Sequence, residues 1–163
     1  MRLLTQTIGV ARRSFHCGRT LQDKKAASPS FHAEALSQQL GVSFKTPNIL
    51  QRALTHKSFE HGTVPSNERL AYLGARVLQL SACENSLTSS SSSFKDHVSE
   101  QISLERLAKK FDGLNLTDGM QYHVPGPHMP PKIKATAVNA VIGAVYHDQG
   151  YAAAQEFVKK HVL

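Results

Sequence analysis

The sequence predicts an all-α domain on three observations. Apolar residues recur at helical spacing in one segment after another. Proline, serine and glycine stand where helices would start and stop, and no stretch alternates in the manner of a strand. A chain of 163 residues is long enough for one real hydrophobic core and short for two.

Taken in order, residues 31–40 are amphipathic and stop at Gly41, a residue suited to a helix C-terminus. Thr46-Pro47 reads as an N-cap followed by proline at the first helical position, opening a helix over 46–57. Ser66 is placed to cap a third helix, with Glu68 in the first turn, where a negative charge suits the dipole. Leu70, Leu73, Val77 and Leu80 form its expected buried stripe. Residues 86–93 are serine-rich and read as a loop. A fourth helix is expected from Phe94 to Asp112-Gly113, burying Val98, Ile102, Leu104 and Leu107. Residues 114–131 hold three glycine or proline clusters and form a long ordered loop. A fifth helix over 132–149 ends at Gly150, and a sixth covers 151–162 with Ala154, Phe157 and Val158 inward.

The formal charge of +7 points towards an anionic partner, but it is unevenly spread. Residues 1–22 carry Arg2, Arg12, Arg13 and Arg19 and no acid; without them 15 basic residues face 12 acidic ones. An Arg-rich, acid-free, Ser/Thr-containing leader is the signature of a mitochondrial transit peptide. Arg13 to Gly18 resembles a matrix-presequence cleavage motif. The expected organisation is therefore a transit peptide at 1–22, a polar linker at 23–30 and one domain at 31–163, in the mitochondrial matrix. Cys17 falls in the leader, which leaves Cys83 without an intrachain partner and fits a reducing compartment. Cys83 reads as a small buried hydrophobe. Nine histidines show no metal-ligand spacing, and no apolar run reaches the ~20 residues of a membrane span. No cofactor, membrane or small-molecule substrate is expected.

Three stretches resemble one family. Ala53-Leu54-Thr55-His56-Lys57-Ser58 is similar to the helix before the ribonuclease III signature. Asn67-Glu68-Arg69-Leu70-Ala71-Tyr72-Leu73-Gly74-Ala75 resembles that signature, which reads N-E-R-L-E-F-L-G-D in active enzymes. Residues 134–148, with Lys134, Thr136, Asn139, Gly143, Tyr146 and Asp148, resemble the second signature, K-A-D-x-x-E-A-x-I-G-A-x-Y-x-D. The resemblance covers 36–162 and implies an RNase III-type helical bundle. The family gathers four acids at these signatures to hold Mg²⁺. The matching positions here are Ala71, Ala75, Thr136 and Asn139, none of them charged.

The resemblance therefore implies a non-catalytic member without metal ligands or catalytic residues. The family's usual duplex-RNA-binding appendage is also not expected after Leu163. The expectation drawn is a structural constituent of the mitochondrial large ribosomal subunit. Its partners would be the large-subunit rRNA, ribosomal proteins and a second RNase III-like ribosomal protein in a heterodimer. An RNA-processing enzyme and an inactive adaptor in mitochondrial RNA maturation are the alternatives. Arg76, Lys109, Lys110, Lys132 and Lys134 are candidate phosphate contacts, or solvated faces. Glu68, Tyr72 and Leu73 are candidates for a pairing interface, or simply a structural ion pair and core.

Overall fold

In the computed structural model, residues 33–87 and 93–163 are described; the expected leader, the linker and residues 88–92 of the serine-rich run lie outside them. Seven helices follow one another among the described residues: α1 Ala33–Leu40, α2 Ile49–Ala53, α3 Glu68–Leu87, α4 Phe94–Gln101, α5 Leu104–Gly113, α6 Pro131–Gln149 and α7 Tyr151–His161. Single turns of 3₁₀ helix at Phe59–Gly62 and Leu116–Gly119 shape the longer connections. The fold is all-α.

α6 is central. Ten of its residues, from Ile133 to Val145, are buried, and a helix apolar on every side must be surrounded. α2, α3, α5 and α7 all pack against it. Phe111, Leu116, Ile142 and Val158 fill the space between, fully buried. Each large apolar side chain so placed contributes roughly 1.5–3 kcal/mol relative to exposure.

α3 and α6 pack with their backbones in contact. A Cβ built on Gly74 would overlap the Asn139 carbonyl oxygen and lie 2.6 Å from the Gly143 nitrogen. A Cβ on Gly143 would overlap the Leu70 carbonyl oxygen. Two backbones touch because neither residue carries a side chain. The register is antiparallel, with Leu70 against Gly143 and Gly74 against Asn139.

Several boundaries differ from expectation, each for a physical reason. The helix expected over 46–57 is only the short α2, entered through Asn48 at φ 59°. Thr46 does not cap it. Its N–H donates to Asp148 Oδ1 at 2.7 Å, and the Lys45 N–H donates to Oδ2 at 2.8 Å. After Leu54 the chain leaves the helix to pair with the distant loop: Gln121 N donates to Leu54 O and His56 N to Gln121 O, both at 2.8 Å. α3 begins one residue later than Ser66 would cap, with the Asn67 carbonyl accepting from Ala71 N. Its buried face is Leu70, Ala71, Gly74, Val77, Leu78, Ser81 and Ala82; Leu80 is 50% exposed. Ser86 and Leu87, expected in the loop, finish α3. The single helix expected from Phe94 breaks into α4 and α5 because Ser103, extended at ψ 145°, caps the second, its hydroxyl accepting from Arg106 N. Leu104 is consequently exposed. Cys83 is half-buried rather than buried. The expected ends at Gly41 and Gly150 hold, with φ of 66° and 85° that favour glycine.

Candidate RNA-facing site on α3 and α6

Ala71 and Ala75 flank Gly74 on α3, while Asn139 faces Gly74 from α6 with Thr136 one turn before it. The helix crossing therefore assembles the two signature-like segments in one place. Ala71 is buried and the other three are half-buried. Thr136 Oγ1 donates to Lys132 O at 2.7 Å, and Asn139 Oδ1 is buried with no hydrogen-bond partner among the described residues.

These four side chains end in two methyls, a hydroxyl and an amide. Mg²⁺ takes near-octahedral oxygen ligands, with carboxylates supplying the charge that draws it from water. The donor set at this crossing does not fit such an ion. Nearby acids are engaged elsewhere. Glu68 pairs with Lys57 at 3.1 Å, Asp112 with Lys134 at 2.8 Å, and Asp148 with the backbone of Lys45 and Thr46. Glu84 accepts from Tyr151 at 2.9 Å and from Gln155. Among the described residues, no three His, Cys, Asp or Glu side chains converge.

Beside the crossing, the outward face of α3 carries a ridge. Tyr72 is 68% exposed, and the Arg76 guanidinium lies 5.0 Å from its ring centre. Glu68 stands one turn before it, exposed. Next to the ridge opens a cleft of about 680 Å³, lined among others by Ile49, Arg52, Phe59, Arg69, Leu73 and His147. Leu73 is half-buried and lines the cleft, whereas Glu68 and Tyr72 are exposed and stand outside its lining. Sequence reasoning did not single out Arg52, Arg69 or His147. They converge only because α2, the start of α3 and the end of α6 meet here.

The candidate cations do not form one uniform patch. Lys132 and Lys109 are exposed on α6 and α5. Lys134 is held by both oxygens of Asp112 and lies 6.0 Å from the Phe111 ring centre, so its charge is largely answered. Lys110 is half-buried near His161, where burial first and then Lys160 and Lys110 hold the imidazole pKa below its ordinary value. Arg76 belongs to the α3 ridge.

His56 follows Thr55, which lines the cleft. Its Nδ1 accepts from Ser58 N at 3.2 Å and lies 2.9 Å from Ser58 Oγ, an arrangement that suits the neutral ring. Burial, and then Lys57, lower its pKa against the opposing pull of Glu68. At Asp148 burial alone would raise the pKa, but hydrogen bonds from Thr46 and Lys45 outweigh it and hold the carboxyl below its usual range.

Comparison with known proteins turns this geometry into a family. The profile of the family described as Ribonuclease-III-like matches residues 46–163. A Ribonuclease 3 of Bdellovibrio bacteriovorus is 32% identical over 149 residues, 80% of this chain and 60% of that protein. A Ribonuclease 3 of Albidiferax ferrireducens is 37% identical over 137 residues, 77% of this chain and 58% of that protein. The chain thus spans about 60% of the length of these relatives. The nuclease domain of a Campylobacter jejuni ribonuclease III superposes with a TM-score of 0.72 at 30% identity, covering 80% of this chain and 93% of that one. A second structure of that domain, described for structural flexibility in a region involved in dimer formation, gives 0.72 at 31%, covering 79% and 94%.

These findings overturn the expectation of a non-enzymatic structural constituent of the mitochondrial large ribosomal subunit. The relatives are named as ribonucleases and the structural neighbours are nuclease domains, not ribosomal proteins. With its two signature segments crossing at Gly74 and Gly143 in a seven-helix bundle, the chain belongs to the ribonuclease III-like family.

Proposed function

We propose that this chain acts on structured RNA as a ribonuclease III-type domain and works as one half of a pair of such domains. The observation that carries the reading is the α3–α6 crossing, where both signature segments meet in a bundle that superposes on a ribonuclease III nuclease domain. The names of the relatives support RNA cleavage as the activity. Binding would rest on phosphate contacts from Arg76, Lys109, Lys110 and Lys132, with Lys134 secondary because of Asp112. Such contacts position a duplex without reading its sequence.

Pairing is supported by Tyr72, a large aromatic side chain left in solvent on the helix that follows the cleft. The partner is a second ribonuclease III-type domain. The mitochondrial matrix is the proposed compartment, on the composition of residues 1–22.

The test is incubation of the full chain with a long RNA duplex, with Mg²⁺ or with a chelator, read on a denaturing gel and by band shift. Cleavage of the duplex supports the reading in full, and the chelator arm reports whether an ion is needed for it. A bound but intact duplex keeps RNA as the ligand and removes the cleavage. A duplex neither bound nor cut overturns both.

A further inference from the structure

At the α3–α6 crossing the side chains of Ala71, Ala75, Thr136 and Asn139 offer no charged oxygen donor. We propose that this crossing is a cation-independent packing seam whose geometry is intact and whose only deficiency for a divalent ion is its four side chains. The inference rests on family membership and not on the RNA reading.

Three features of the chain support it. The two backbones lie in contact at Gly74 against Asn139 and at Gly143 against Leu70, where any side chain would clash, so glycine at both positions sets the seam. The side chains around that contact are neutral. Ala71 and Ala75 therefore create no mutual repulsion for a metal to relieve, whereas clustered carboxylates would. Acids that could migrate to the site are distant or occupied. Glu84 lies nine residues beyond Ala75 and Asp148 nine beyond Asn139, about 13 Å along each helix axis. Glu68, three residues before Ala71, is turned towards Lys57. Among the four side chains one buried, unpartnered oxygen remains, Asn139 Oδ1, and a single neutral ligand cannot replace the hydration shell of a hard cation.

The experiment is titration of the isotope-labelled chain with Mn²⁺ alone, read by paramagnetic broadening of its backbone amide resonances. No RNA is present, so the result is independent of whether the chain binds or cuts RNA. The expected result is that the amides of Ala71, Ala75, Thr136 and Asn139 broaden no more than those of α7. Selective broadening at those four in the native chain overturns the proposal. The same titration on an A71E/A75D/T136D/N139E variant tests the claim about geometry. Selective broadening there supports it, and its absence in a folded variant overturns it. The native titration decides by itself if that variant does not fold.

Discussion

At Gly74 and Gly143 hydrogen is the only side chain the structure admits, because each position lies against the opposite backbone rather than against a movable side chain. Substitution of Gly143 with alanine must push α3 and α6 apart. It is expected to cost about 3 kcal/mol or more, towards the upper end for overpacked cores. A lower urea midpoint with an unchanged slope would show it, and a midpoint within error of the native chain would contradict the close contact. His56 offers a second residue-scale test. Its folded pKa is lowered, so its contribution to stability is complete above its ordinary value near 6.5 and is lost as pH falls below it. His161 acts with the same sign. Unfolding free energy should therefore decline between about pH 7 and 5, and His56→Gln should make that decline shallower. Much at this scale was legible in sequence, since the glycines and the neutral residues around them are visible in the signature-like strings. The exposure of Tyr72 and the Asp112 partner of Lys134 were not, because both depend on which helix packs alongside.

Among the elements, α6 shows how a strong local pattern fixes a segment, and α2 shows where local patterns fail. An apolar run from Ile133 to Val145 between Pro131 and Gly150 has one good solution, a buried helix, and both ends fall within a residue of expectation. The Thr46-Pro47 pair, by contrast, carries an N-cap signal that a tertiary bond overrides. Asp148, about a hundred residues later, takes the Lys45 and Thr46 N–H groups that a helix start would leave open. Thr55 and His56 likewise leave their helical pattern for Gln121, a partner no local window contains. Asp148→Asn should loosen the segment from Ser43 to Asn48 at a cost of about 1 kcal/mol, with faster amide exchange at Lys45 and Thr46. Because the folded carboxyl pKa is depressed, the native advantage is present above the usual carboxylate range and fades as pH falls through its folded pKa. Native and variant stabilities should thus converge below about pH 4, and a gap that persists there would assign the effect to something other than the charge.

For the whole molecule, the all-α class and the family followed from helical periodicity and the two signature-like segments, while the ribosomal role, inferred from a mitochondrial leader, four neutral positions and no expected RNA-binding appendage, did not survive comparison with ribonucleases. Four residues describe a local donor set; they do not name the assembly a domain works in. The proposed pairing through α3 belongs to this scale too. Tyr72→Ala should shift the chain towards the monomer in sedimentation velocity while leaving its helical signal unchanged, since so exposed a ring contributes little to its own fold. A sedimentation profile that Tyr72→Ala leaves unchanged would remove Tyr72 from the proposed interface. The measurement that bears most directly on the central claim is binding of the full chain to a long RNA duplex across a salt series. The account predicts a retained duplex whose affinity falls steeply with salt, as phosphate contacts require, and falls less steeply in an Arg76→Ala chain. A duplex that migrates freely at low salt in the presence of the folded chain would contradict it.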